Sequence, residues 1–230
     1  NYEPPMVTRV YASNGRLISE YAAEQRSFVP LESVPQIVID SFLAAEDKNF
    51  YKHIGIDFTS IIRAIKRNLN NLSGRPEGAS TITQQVAKNF FLSRELSYKR
   101  KFKEVLLALR IEQILDKDKI LELYLNQIYL GYRSYGIAAA SLNYFNKSLN
   151  ELSISEAAFL AALPKAPNNY HPIRKKKAAV GRRNWVIKRL LQERIITREQ
   201  YLKAKSSELL TIERKELKPV EAQYFLEDVR

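Results

Sequence analysis

From about residue 33 to residue 206, apolar side chains return at every third or fourth position, and each such stretch is closed by a capping residue, a glycine or a proline. That period puts an apolar stripe on each of a series of helices, and such stripes are stable only when packed against one another. Ser33 followed by Pro35 reads as the start of a helix running to about Lys48. Asp57 reads as the cap of a helix to about Leu72, with Phe58, Ile61, Ile62, Ile65 and Leu69 at helical spacing. Ser80 opens a short helix to about Phe91, Ser97 a longer one to about Leu115, and Asp118 another to about Ile128. Further helices are expected over Ile137–Phe145, from the capping boxes Ser153/Glu156 and Thr197/Gln200, and over a basic stretch from about Lys175 to Glu193. Ahead of them, residues 7–21 place Val7, Val10, Tyr11 and Leu17, Ile18, Tyr21 on either side of Asn14-Gly15, and read as a β-hairpin. The expected class is mainly α with a small N-terminal β element. The expected division is a hairpin and lead-in over 1–30, a helical domain over 31–206 and a linker over 207–230. The chain begins at Asn1 rather than Met, and is expected to be a piece of a longer one.

Charge narrows the partners. The 230 residues carry 37 Lys and Arg against 25 Asp and Glu, a net charge of +12. Such a surplus favours nucleic acid, anionic lipid headgroups or phosphate-bearing substrates. It lies in groups such as Arg63–Lys66–Arg67, Lys99–Arg100–Lys101–Lys103 and Arg174–Lys175–Lys176–Lys177, any one of which also suits a solvated helix face. There is no cysteine, which excludes disulfides and thiolate metal sites, and with only His53 and His171 a structural zinc site is not expected. No serine sits in a Gly-x-Ser-x-Gly elbow and no phosphate-binding loop pattern is present. No apolar run approaches the ~20 residues that span a bilayer.

Five blocks remain as candidates for chemistry. Glu46-Asp47-Lys48-Asn49-Phe50-Tyr51-Lys52-His53-Ile54-Gly55-Ile56-Asp57 ends a helix on two carboxylates, where partial burial raises a carboxyl toward the working range of an acid–base group. Taken alone, Glu46 there also suits a surface position, and Asp57 an ordinary cap. Gly78-Ala79-Ser80-Thr81-Ile82-Thr83-Gln84-Gln85-Val86-Ala87-Lys88-Asn89 leads a glycine into a helix start rich in hydroxyls and amides, suited to an anionic or sugar ligand or simply capped by Ser80. Arg100-Lys101-Phe102-Lys103-Glu104 sets Arg100 and Glu104 four apart on one helix face, as a clamp for a diphosphate or as a surface ion pair. In the fourth block, Glu122 and Asn126 sit one turn apart on an otherwise apolar helix and read as structural brackets for a cleft. The fifth, Leu152 to Pro167, reads as core helix plus turn.

In this order, the five blocks resemble the peptidoglycan glycosyltransferase domain of class A penicillin-binding proteins, glycosyltransferase family 51. EDKNFYKHIGID and GASTITQQVAKN match nearly entire, and the blocks run from Glu46 to Pro172. The resemblance implies a lysozyme-like, two-lobed helical fold with a cleft between the lobes. It implies lipid II, the undecaprenyl-diphosphate disaccharide pentapeptide, as substrate, added to a growing lipid-linked glycan chain at the outer face of the bacterial cytoplasmic membrane. Glu46 matches the catalytic base, and Glu104 the second essential carboxylate. Lys88, Arg100 and Lys101 match contacts to the donor phosphates. Asp47, Phe50, His53, Ser80, Thr81, Gln85 and Asn89 match positions that line or support the site. No cofactor is implied; a divalent cation, magnesium or manganese, stays open. The phosphoglycolipid moenomycin is the implied inhibitor, and Leu96, where many relatives carry a basic residue, is expected to weaken its binding. The ending AQYFLEDVR looks like the lead-in to a transpeptidase half.

Two other readings were open at this level. A lysozyme-like enzyme that cleaves glycan manages with one acidic glutamate and has no use for the cluster of Lys88, Arg100 and Lys101. A basic helical nucleic-acid binder suits the net charge, but neither a recognition-helix pattern nor a basic–aromatic stacking platform is present, and no nucleic-acid partner is expected.

Overall fold

The computed structural model describes residues 8–11, 17–21, 25–70, 80–91 and 97–212. Two strands, β1 (Thr8–Tyr11) and β2 (Leu17–Tyr21), pair antiparallel as the hairpin reading requires; the Asn14-Gly15 turn lies outside the described residues. So does Leu96. A short parallel pair joins β3 (Gln25–Arg26) to β4 (Ser134–Tyr135). The rest is helical, in nine α-helices among the described residues.

The core is built around a helix with no polar face. α7 (Ile154–Ala162) has Ala157 through Ala162 fully buried, and such a helix is stable only when surrounded. α1 (Gln36–Glu46), α8 (Lys176–Gln192), α6 (Ile137–Phe145) and α9 (Arg198–Ser206) enclose it. Arg183 is 1% exposed and ties this body together: it donates to Ser155 Oγ in the first turn of α7 and to the carbonyls of Lys205 and Ser207 at the end of α9. A second group packs α3 (Ile82–Phe91) against α4 (Tyr98–Ile114) and α5 (Lys117–Gln127). The remaining helix, α2 (Phe58–Asn70), has Phe58, Ile62 and Leu69 all more than 60% exposed.

Several starts differ from the sequence reading. Ser33 closes a 3-10 turn (Leu31–Ser33), and α1 begins at Gln36, with the Pro35 carbonyl accepting from Val38 and Ile39. Asp116, not Asp118, caps α5 through the Lys119 amide at 2.7 Å. Thr81, not Ser80, caps α3: its amide donates to Gln84 Oε1 at 2.9 Å and its hydroxyl accepts from the Gln84 amide at 3.2 Å. The caps at Ser97, Ser153 and Thr197 stand as read. Glu122 and Asn126 do not reach the cleft. They accept from the amides of Leu31 and Val29 and so bracket the segment that leads into α1.

Candidate active site

The end of α1 sets the site. Glu46 is its last residue, and Asp47 leaves the helix with non-helical backbone angles (φ -155°, ψ 77°), so the two neighbouring carboxylates point to different surroundings. Asp47 is buried and saturated. It accepts from His53 Nε2 at 2.9 Å and from the Ile82 amide at 3.0 Å, the latter an orphan donor in the first turn of α3. The Gly55 amide donates to His53 Nδ1 at 3.1 Å, which fixes the proton on Nε2 and makes His53 the donor to Asp47. Gly55 adopts φ +88°, and a Cβ there would meet the Ala108 carbonyl oxygen at 3.1 Å. The Thr81 hydroxyl donates to the Gly55 carbonyl at 2.6 Å, completing the link between the loop and α3.

This junction delivers Gln85, one turn into α3, to the remaining carboxylate. Gln85 Nε2 donates to Glu46 Oε2 at 2.8 Å. Burial pushes the Glu46 carboxyl above its ordinary value of 4.5; the Gln85 hydrogen bond and the charges of Arg182, Lys165 and Lys88 oppose that rise without cancelling it. Asp57 moves the other way. Burial would raise it, but hydrogen bonds from Ser60, Thr59 and Asn49 outweigh that and hold it well below the carboxylate range, as suits a cap of α2.

Glu46 faces a cleft of about 410 Å³. Its near wall is Asp47, Ser80, Thr81, Gln85 and Lys88, with Ser60, Arg63 and Ala64 of α2 beside them. Its far wall is Pro164, Lys165, Arg182, Trp185 and Arg189. Arg182 stacks on the Trp185 ring at 3.8 Å from its centre, and Arg189 Nε donates to the Ala44 carbonyl at 2.9 Å. Counting Lys48 at the rim, six cationic side chains line the cleft with three carboxylates: Asp47 and Asp57 are taken up by several hydrogen bonds each, and Glu46 accepts only from Gln85 among the described residues.

The second carboxylate stands behind this wall. Glu104 is 3% exposed and does not line the cleft. It takes the Lys101 ammonium and, at 3.7 Å, the Arg100 guanidinium. Lys101 in turn donates to Ser80 Oγ at 2.8 Å, so the pair reaches the cleft through a residue that does line it. Phe50 and His53 also stay behind the surface: Phe50 is buried, with Lys117 over its ring at 4.4 Å. Asn89 is exposed at the end of α3 and off the cleft. Among the described residues no three His, Asp or Glu side chains converge to hold a metal ion.

The far wall was not found from the sequence. Its signal was present: Arg182, Trp185 and Arg189 recur at three and four, hence on one face of α8, and Lys165 follows Pro164 at the end of a core helix.

A family model described as Transglycosylase matches residues 14–191. The chain belongs to this transglycosylase family. Its relatives include proteins named penicillin-binding protein 1A: one from Rickettsia prowazekii (strain Madrid E), 50% identical over all of this chain and 29% of its own length, and one from Aquifex aeolicus (strain VF5), 48% identical over all of this chain and 31% of its own. The crystal structure of penicillin-binding protein 1A from Haemophilus influenzae superposes with a TM-score of 0.60 at 31% identity, over 100% of this chain and 24% of that one. The chain thus spans under a third of the length of these curated relatives, and its mainly helical, lysozyme-like architecture is that of the transglycosylase domain.

Proposed function

We propose that this chain is a peptidoglycan glycosyltransferase that polymerises lipid II into β-1,4-linked glycan and releases undecaprenyl diphosphate. The observation that carries the reading is Glu46, a desolvated carboxylate facing cations across one cleft. Glu46 takes the proton of the 4-hydroxyl of the acceptor GlcNAc. The oxygen attacks C1 of the donor MurNAc, the O4–C1 bond forms with inversion, and the bond from C1 to the diphosphate oxygen breaks. The electron pair leaves on the diphosphate, which needs neutralising charge rather than a proton, and preorganised cations supply it. Lys88 lies in the cleft for this role, and Lys101, held by Glu104 and Ser80, stands at its edge. In this reading Glu104 positions the cations and does not touch the reacting atoms. Any divalent cation would arrive with the diphosphate.

A lipid-linked donor also requires a lipid surface. No described helix is long and apolar enough to cross a membrane. α2 offers a different contact: Ser60, Arg63 and Ala64 line the cleft, while Phe58, Ile62 and Leu69 share the opposite face and stay exposed. One helix would then hold the cleft at the surface where the substrate lies, on the outer side of the cytoplasmic membrane. Moenomycin, as a phosphoglycolipid, would compete for the same cleft.

Incubation with lipid II and gel separation of the products tests this. Wild-type chain should yield polymer, and Glu46→Gln should lower the rate at least about 100-fold, the scale of a lost general base. Soluble fragments released from purified cell wall, with no polymer from lipid II, would establish the glycan-cleaving alternative instead.

A further inference from the structure

Tyr124 lies within α5 and is 1% exposed, yet its hydroxyl finds no hydrogen-bond partner among the described residues. Phenylalanine would fill the same space without burying an unmet hydroxyl, so the oxygen calls for a reason. Its position supplies one. The Tyr124 ring packs edge-on against Phe42, 6.3 Å between centres, and Glu46 lies one turn beyond Phe42 on the same face of α1. The charges that act on the hydroxyl are the carboxylates of Glu46 and Asp47. Asp47 already accepts from His53 and the Ile82 amide. Glu46 accepts only from Gln85, through Oε2, among the described residues, which leaves capacity on the carboxylate. The charges that act most strongly on Glu46 are Arg182 from α8, Lys165 from the turn after α7 and Lys88 from α3, and Arg63 of α2, Arg189 of α8 and Lys48 at the rim line the same cleft.

We propose that Tyr124 is a positioning residue for the base: in the substrate complex its hydroxyl donates a hydrogen bond to the Glu46 carboxylate and holds it ionised and aimed into the cleft. Contacts of this kind are commonly long in the free enzyme and tighten when substrate binds. The proposal rests on Glu46 being the base of the glycosyl transfer.

The test measures kcat for polymer formation at saturating lipid II, which reports the groups of the substrate complex, against pH in wild-type chain, in Tyr124→Phe, and in chain carrying 3-fluorotyrosine at position 124. Loss of a donor to the ionised carboxylate should move the acid limb of Tyr124→Phe up by about 0.5–1 pH unit. The fluorinated phenol is a stronger donor and should move that limb down. A role in packing alone predicts no such opposed pair of shifts. Acid limbs that stay fixed in both variants overturn the proposal, whatever the height of the plateau; if Tyr124→Phe does not fold, the fluorotyrosine arm decides alone. Wild-type chain that makes no polymer at any pH instead overturns the glycosyltransferase reading itself.

Discussion

Burial makes the Glu46 proton hard to remove, and Gln85 with the cations across the cleft makes it easier; burial wins. A carboxyl raised in the folded state binds its proton more tightly there than in the unfolded chain. Its contribution to stability is therefore full below the unfolded value, near 4.5, and is lost as pH rises through the folded one. At neutral pH the ionised Glu46 is thus a destabilising group kept for its chemistry. Glu46→Gln removes the charge and keeps the shape, so it should raise the thermal midpoint at pH 7 while abolishing activity, by about 2–4 °C for each ~1 kcal/mol recovered. Below pH 4 the advantage should vanish. Melting curves at the two pH values check it, and an equal or lower midpoint for the variant at pH 7 refutes it. Asp47 differs in kind: it meets the His53 ring and the orphan amide of Ile82, and that difference was not legible in the sequence. Two adjacent carboxylates look alike until the helix ends between them, and where it ends depends on contacts 35 residues away, at Ile82.

At the scale of elements, the local code was legible where a cap and its helix are self-contained. Ser97, Ser153 and Thr197 sit three residues before the amides they accept from, and among the described residues no side chain from elsewhere in the fold competes for them. Ser80 and Asp118 failed because tertiary partners claim them: Lys101 takes Ser80, and Tyr51 donates to Asp118 at 2.8 Å. The near wall of the cleft was legible because two compact motifs carry it; the far wall was not, because it joins Lys165 to one face of α8 only in three dimensions. On the proposed reading, α2 has two jobs, lining the cleft and touching lipid. Its Ile62 and Leu69 are 67% and 68% exposed, so charge there disturbs no packing. Ile62→Glu with Leu69→Glu should leave the thermal midpoint within about 2 °C, since exposed substitutions cost little. It should weaken binding to phosphatidylcholine vesicles at least about 10-fold, because each buried aliphatic side chain contributes roughly 1.5–3 kcal/mol. Vesicle sedimentation reads the effect, and undiminished binding would remove α2 from the membrane surface.

Over the whole molecule, two forces would hold the chain to a lipid surface, and they respond to different variables. The net charge of +12 attracts an anionic leaflet at about 1 kcal/mol per Lys or Arg near the surface, and that attraction is screened over ~8 Å at physiological salt and ~3 Å at 1 M. The apolar face of α2 is insensitive to screening, because its contribution comes from area removed from water. Vesicles of phosphatidylglycerol should therefore bind the chain far more tightly than phosphatidylcholine at low salt, and the two should converge as salt approaches 1 M. The residual binding at high salt should be the part that the Ile62 and Leu69 substitutions abolish, while the salt-dependent part survives them. If salt and the α2 substitutions instead erase the same fraction, charge and apolar face act as one patch, and α2 does not dock independently. The separation matters for chemistry as well: Arg63 is exposed and belongs to α2, lining the cleft on the side away from Phe58, so a helix seated in lipid by its apolar face presents that guanidinium toward the diphosphate of a substrate anchored in the same leaflet.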